Sequence, residues 1–254
     1  MLYLIAFIFG SIWGSFSNVC IHRIPEDISV VTGRSHCPSC KTQIKWHDNI
    51  PLFSYLFLKA KCRGCSAKIN IKYFLVELIS AISFVVIFHF FGISLTTLLF
   101  FILSICFVII FFIDFKHFII PNELTYPLMI IGLLKSFDPN LNTTLFPNLV
   151  NSLIGGFFGY IIIWLIIFIY KKIRNKEGMG LGDAKLLSAI GFWFGWTSIP
   201  FIIFFSSIAA LISVIPDLIT NKKKLTSQIP FGPFIIIGTL IFLFSNDYIK
   251  IFLN

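Results

Sequence analysis

Residues 78–113 read LISAISFVVIFHFFGISLTTLLFFILSICFVIIFFI, thirty-six positions without a formal charge, and Asp114 follows at once. As a helix this run would be about 54 Å long at 1.5 Å per residue. A hydrocarbon core is about 30 Å thick, so the run must cross it twice, and Gly92 is the natural break. The same reading applies elsewhere. Residues 2–20, 149–170 and 225–246 are uncharged single spans, and 186–216 holds two more, interrupted around 195–200. A shorter apolar segment, 124–134, lies between Glu123 and Lys135. Eight spans are expected, the fourth and sixth being short. Composition agrees, with 57% hydrophobic, 17% aromatic and 12% charged residues among 254 and a mean hydropathy of +0.92. Soluble domains carry about a quarter charged residues, so an ordinary cytosolic globule is excluded. A disordered chain, a collagen and a small disulfide-stapled domain are excluded as well. The expected fold class is an all-α polytopic membrane protein with about eight transmembrane helices and a small cytosolic zinc-ribbon-like loop.

Basic residues set the orientation. Nine fall after the first span (Arg23, Arg34, Lys41, Lys45, Lys59, Lys61, Arg63, Lys68 and Lys72). With that loop in the cytosol, alternation through eight spans adds Lys116, then Lys171, Lys172, Arg174, Lys176 and Lys185, then Lys222, Lys223 and Lys224. Only Lys135 and Lys250 fall outside, which is the asymmetry the positive-inside rule demands. Both termini are therefore expected outside the cytosol. The net charge of +9 is a topology signal. Its spread over several short loops argues against nucleic-acid binding. The opening segment has no basic flank and no clear small-residue cleavage site, and is expected to be a retained span.

Three regions follow: the first transmembrane helix at 1–20, a cytosolic cysteine-rich loop at 21–71, and a membrane-embedded core at 72–254. The loop holds Cys37-Pro-Ser-Cys40 and Cys62-Arg-Gly-Cys65, two C-x-x-C pairs with 21 residues between them. Two such knuckles close a tetrahedral thiolate site, so a structural zinc ion held by Cys37, Cys40, Cys62 and Cys65 is expected. A module this small builds little core, and metal binding would supply its folding energy. Two disulfides would be the other reading, but a cytosolic loop is kept reduced. His36 and His47 read as surface residues, and Cys20 and Cys106, inside spans, as small packing residues.

Few acids fall in or beside the apolar runs: Glu77, Asp114, Glu123, Asp183 and Asp217. Ionisable groups at membrane depth are costly and default to function. Asp114 ends the third span and Asp183, preceded by Gly178, Gly180 and Gly182, opens the sixth. The topology puts both at the cytosolic face although 69 residues separate them. Two carboxylates brought together at low dielectric cannot both ionise; one keeps its proton while the other acts as base, and the pair can activate water against a peptide carbonyl. The glycines permit close approach of a substrate strand. The spacing alone leaves two other readings: surface ion pairs of Asp114 with Lys116 and Asp183 with Lys185, or an ion-coupled transporter using the acids as a relay. The short fourth and sixth spans each follow an aspartate, and are expected to leave a thin, water-reached pocket there.

Set in order, these residues resemble the type IV prepilin peptidases, a family of G-x-G-D membrane aspartic proteases. The likeness runs through Gly14-Ser-Phe-Ser-Asn18-Val19 with Arg23-Ile-Pro25, the paired C-x-x-C loop, Asn49-Ile-Pro-Leu-Phe-Ser-Tyr55, Glu77, Asp114 with Ile120-Pro-Asn122, 178–185, and Ile229-Pro-Phe-Gly-Pro-Phe234. Phe74 departs from it, since many members have proline before the Val-Glu pair. The resemblance implies that Asp114 and Asp183 are the catalytic pair, with Gly178, Gly180, Gly182, Lys185 and Glu77 as supporting motif residues. It implies cleavage of a basic leader after glycine from prepilin or pseudopilin substrates, at the cytosolic face of the bacterial inner membrane. The cysteine loop goes with the members that also N-methylate the new N-terminal residue from S-adenosyl-L-methionine, although no methyl-donor fingerprint is visible. Other G-x-G-D intramembrane proteases, of the presenilin kind, lack such a loop.

Overall fold

A computed structural model describes residues 1–33, 35–141, 145–175, 178–219 and 228–253. The described residues form nine α-helices: α1 Leu2–Arg23, α2 Phe53–Phe57, α3 Ile71–Phe91, α4 Leu95–His117, α5 Asn122–Lys135, α6 Leu149–Arg174, α7 Leu181–Phe194, α8 Ser198–Ile219 and α9 Gly232–Leu253. Apart from the five-residue α2, they occupy the eight expected span positions. Five stretches are long and apolar enough to cross a membrane unaided: Leu2–Glu26, Ile71–Phe91, Leu95–His117, Leu149–Arg174 and Ser198–Pro216. Helices α5 and α7 have 14 residues each, about 21 Å, and the apolar part of α9 is Gly232–Ser245. The expected cytosolic residues Arg34, Lys176 and 222–224 lie outside the described residues, as does the side chain of Asp217.

Helix boundaries reach past the uncharged runs. Helix α3 begins at Ile71, seven residues before the run at 78, because the Asn70 side chain accepts the Lys72 N–H at 2.9 Å and caps it. Starting there, three residues ahead of Phe74, the helix is undisturbed by the missing proline. Gly92, at φ +59°, ends it in a conformation that suits glycine.

The chain divides into two compact units, Met1–Phe112 and Ile113–Asn254. In the first unit α1 and α3 lie antiparallel. A Cβ on Gly10 would fall 2.8 Å from Phe84 Cβ, and one on Gly14 would fall 2.7 Å from Glu77 Cα. The Tyr3 hydroxyl lies 3.3 Å from His89 Nδ1, and Asn18 donates to the Tyr73 carbonyl at 3.0 Å. Gly14 and Asn18 thus serve helix contact, as small and amide residues in spans commonly do. Phe84 stacks on Phe101 at 3.9 Å, bringing α4 in.

The second unit is organised around α7, whose side chains are nearly all buried. Gly155 and Gly191 meet backbone to backbone, Gly159 lies against the Leu187 carbonyl, and Gly156 takes the Phe192 ring. The Ser152 and Ser188 hydroxyls donate across to the carbonyls of Phe192 and Gly156 at 2.7 and 2.8 Å. With no hydrophobic drive between helices in lipid, such approach is what holds them. On its other side α7 meets α5: Trp193, fully buried, donates from Nε1 to the Leu128 carbonyl at 2.8 Å. The buried Lys135 ammonium sits 4.2 Å above the Phe146 ring and 5.8 Å from that of Trp193, a cation–π setting. Asn122, which opens α5, meets Lys185 of α7 at 2.7 Å. Joined start to start and end to end, α5 and α7 run parallel.

Replacing Gly191 by leucine would force α6 and α7 apart at their closest approach. Overpacking costs about 1–3 kcal/mol or more, about 2–4 °C per kcal/mol for a chain of this size. Thermal unfolding in detergent should show a fall of about 5 °C or more for Gly191→Leu, while Ile154→Leu on the exposed face of α6 should leave the midpoint in place.

Candidate functional site

Asp114 lies in the last turn of α4, where Phe118, at φ +58°, ends the helix by donating its N–H to the Asp114 carbonyl at 2.9 Å. Pro121 then directs the chain into α5. Asp183 lies in the first turn of α7, its N–H donating to the Gly180 carbonyl at 3.2 Å. Acids are favoured in a first turn by the unpaired N–H groups there. Both side chains are buried, at 4% and 7% exposure. The two acids, 69 residues apart in sequence, flank Ile120, whose side chain packs on both Gly232, the donor to Asp114, and Gly182, the neighbour of Asp183.

The glycines decide how closely the surroundings approach. The Asp114 Oδ2 accepts the N–H of Gly232 at 2.9 Å, and a Cβ on Gly232 would fall 2.7 Å from that same oxygen. Ile120 fills the space below: its side chain would lie 3.0 Å from a Cβ on Gly232 and 3.0 Å from one on Gly182. Gly180 faces the Asp183 carboxylate, with Oδ2 3.8 Å from its Cβ position, and Gly178 packs on the Tyr170 ring. Neither aspartate forms an ion pair among the described residues. Lys185 leaves Asp183 alone and donates instead to Asn122 Oδ1, with Tyr126 under its ammonium at 5.3 Å. Sequence reasoning gave no role to Gly232, Ile120 or Asn122. The flanking Pro-Phe-Gly-Pro and Ile-Pro-Asn strings were the only signal for them.

Within the first unit the four cysteines converge. Each C-x-x-C pair sits on a turn closed by an isolated bridge, His36 with Gln43 and Lys61 with Lys68. The Cys37 and Cys62 N–H groups donate to the Thr42 and Ala67 carbonyls at 2.9 Å. Cys37 Sγ is 3.9 Å from Cys65 Sγ and Cys40 Sγ 4.0 Å from Cys62 Sγ, with all four sulfurs within 4.8 Å of one another. A tetrahedron with zinc–sulfur bonds of about 2.3 Å has edges of about 3.8 Å, so the set fits a zinc ion. Hydrogen bonds from the Thr42 hydroxyl and N–H draw the Cys40 thiol down to about 6. The N–H groups of Cys65 and Gly64 hold Cys62 below its usual value.

Glu77, inside α3, accepts the N–H of Leu52 at 2.8 Å. Near it, a hollow of about 430 Å³ is lined by Ile12, Ser15, Phe16 and Val19 of α1 and by Trp46, Asn49, Ile50 and Pro51. No charged side chain lines it, so it does not fit a methyl donor carrying a sulfonium and an amino acid tail.

Comparison with known proteins places the chain in a family. Residues 8–91 match the family model of the bacterial peptidase A24 N-terminal domain, and residues 100–215 that of the type IV leader peptidase family. The chain is similar to proteins named prepilin leader peptidase/N-methyltransferase. That of Vibrio cholerae is 38% identical over 96% of this chain and 97% of the relative. That of Aeromonas salmonicida is 35% identical over 96% and 91%, and that of Neisseria gonorrhoeae 31% identical over 96% and 90%. No solved structure matches the chain. With relatives above 30% identity along nearly its whole length, this multi-pass membrane protein belongs to the type IV leader peptidase family.

Proposed function

We propose that Asp114 and Asp183 are the catalytic pair of a prepilin peptidase that removes a basic leader from pilin-like precursors. The observation that carries the reading is the placement of two buried carboxylates, at one end of α4 and one end of α7, on either side of Ile120, which packs on both Gly232, the donor to Asp114, and Gly182, the neighbour of Asp183. The pair shares a proton. The protonated carboxyl hydrogen-bonds the scissile carbonyl oxygen, and the ionised one takes a proton from a water whose oxygen attacks the carbonyl carbon. The tetrahedral diol then collapses as the amide nitrogen takes up a proton, releasing the leader carboxylate and a new N-terminal amine. Gly232 and Ile120 orient the Asp114 side, Gly182 admits Ile120, and Gly180 leaves room for an extended substrate strand. With the basic loops in the cytosol and both termini outside, the site opens on the cytosolic face, where a precursor's basic leader meets its apolar helix.

The cysteine loop, residues 21–71, acts in this reading as a metal-stabilised module, with zinc on Cys37, Cys40, Cys62 and Cys65. It goes with a second activity, N-methylation of the new amine from S-adenosyl-L-methionine. The relatives' double name supports that activity.

Asp114→Asn and Asp183→Asn should each lower turnover of a synthetic prepilin by about 10³-fold or more, measured with purified protein in lipid, with substrate still captured by crosslinking. Near-normal turnover in either variant removes that residue from the pair. Gly232→Ala should slow cleavage at least about tenfold by displacing the Asp114 carboxylate. Cys37→Ser should release zinc, read by elemental analysis, and should depress methylation more than cleavage. Equal loss of both activities would leave the loop a purely structural role.

A further inference from the structure

The segment between the two cysteine knuckles folds back along α1 and α3. The pairing of Gly14 with Glu77, Gly10 with Phe84 and Tyr3 with His89 fixes how α1 and α3 slide past each other. Leu52 is tied to Glu77. Along α1 the level of Gly14 lies nine residues, about 14 Å, inside Arg23, and along α3 the level of Glu77 lies six residues, about 9 Å, inside Ile71. Helix α1, at 22 residues, is about 33 Å long and close to one hydrocarbon thickness. Leu52 therefore lies about 9 Å along α3 from that helix's start, rather than beyond its end.

The segment is built for that depth. Polar backbone in lipid must be satisfied without water. Glu77 takes the Leu52 N–H, the Phe53 and Ser54 N–H groups donate to the Pro51 and Ile50 carbonyls at 2.7 and 3.0 Å, and those of Leu58 and Ala60 donate to the Ser54 and Tyr55 carbonyls at 2.9 Å. Tyr55 packs on Phe74 of α3, ring centroids 5.2 Å apart. The opposite face of α2 is bare: Phe53, Leu56 and Phe57 are exposed by 57%, 63% and 82%, and Trp46 by 81%. The only carboxylate in the segment, Asp48, is clasped by the Arg63 guanidinium at 2.6–3.1 Å. Lys41, Lys45, Lys59 and Lys61 flank it on both sides. An apolar face with tryptophan, bordered by lysines, is the composition of a surface that enters anionic lipid. Its apolar hollow continues directly onto Ile12 and Phe16, exposed residues of a membrane-crossing helix.

We propose that residues 46–57 form a re-entrant segment inserted in the leaflet that adjoins the basic loops, with Trp46, Phe53, Leu56 and Phe57 against lipid acyl chains and one chain lying in the 430 Å³ hollow beside α1. Glu77 is then the positioning residue that holds the segment down. The proposal does not depend on the peptidase reading.

The test is photocrosslinking of the zinc-loaded full chain in phosphatidylethanolamine–phosphatidylglycerol vesicles. p-Benzoylphenylalanine replaces Phe57 in one sample, Phe9 of α1 in a second and Val31 of the loop in a third. Mass spectrometry should find lipid adducts at position 57 at a yield close to that at 9 and about tenfold above that at 31. A yield at 57 no greater than at 31, or adducts to a second copy of the chain or an added prepilin in place of lipid, would overturn the proposal. A second readout uses the native aromatic. Acyl-chain-brominated lipid should quench a fluorescence component that disappears in Trp46→Phe, and absence of such a component would also overturn it.

Discussion

Water is missing from the interior of a bilayer, and every polar group placed there must find a partner in the protein or bear a cost of several kcal/mol. That constraint explains the placement of the acids that matter here. Asp114 is met by the Gly232 N–H, and Glu77 by that of Leu52. In both cases a carboxylate on a membrane helix takes a backbone donor from a stretch outside that helix's body: Gly232 opens α9, and Leu52 precedes α2. The exchange satisfies both sides, since a backbone N–H at that depth needs an acceptor as much as a carboxylate needs a donor. A lysine salt bridge would have satisfied the acids equally well, but would have neutralised them for any chemistry.

The same scarcity of driving forces accounts for the glycines. Apolar side chains gain little by exchanging lipid for protein, so helices associate through close backbone approach and interhelical hydrogen bonds. Helices α6 and α7 show both, with Gly155 against Gly191 and two serines bridging to carbonyls. A short helix carrying a buried acid in its first turn needs such support, because 14 residues alone do not anchor it in a bilayer. Trp193 and Lys135 secure the far end of α7 and Lys185 the near end, so Asp183 is held from a parallel pair of short helices.

Much of this was legible in the sequence, and the reason is length. A run of thirty-six uncharged residues can be placed in a bilayer only by folding it twice, whatever its detailed packing. The cysteine knuckles were legible because two residues between ligands is a local geometry. Helix boundaries were less so, since Asn70 starts α3 inside a charged stretch that the apolar run omits. Least legible were contacts made by backbone atoms across the chain. The N–H of Gly232 reaches Asp114 over 118 residues, and no side-chain pattern announces it. Glu77 showed only that it lacked a basic partner one turn along its helix; the partner proved to be an N–H 25 residues upstream.

Glycine therefore has two separate meanings in this chain, and the distinction bears on how a G-x-G-D string should be read. At Gly92 and Gly195 it supplies a left-handed turn between helices. In Gly178, Gly182 and Gly232 φ is not positive, and what matters is the absence of a side chain: Tyr170, Ile120 and the Asp114 carboxylate occupy the volume a Cβ would fill. A string of glycines before an aspartate is then a statement about space. It says that the acid's neighbours come within van der Waals contact of its backbone. Alanine at Gly178, Gly182 or Gly232 would preserve the charge, yet its Cβ would collide with Tyr170, Ile120 or the Asp114 carboxylate, so glycine is needed there where backbone conformation alone does not require it.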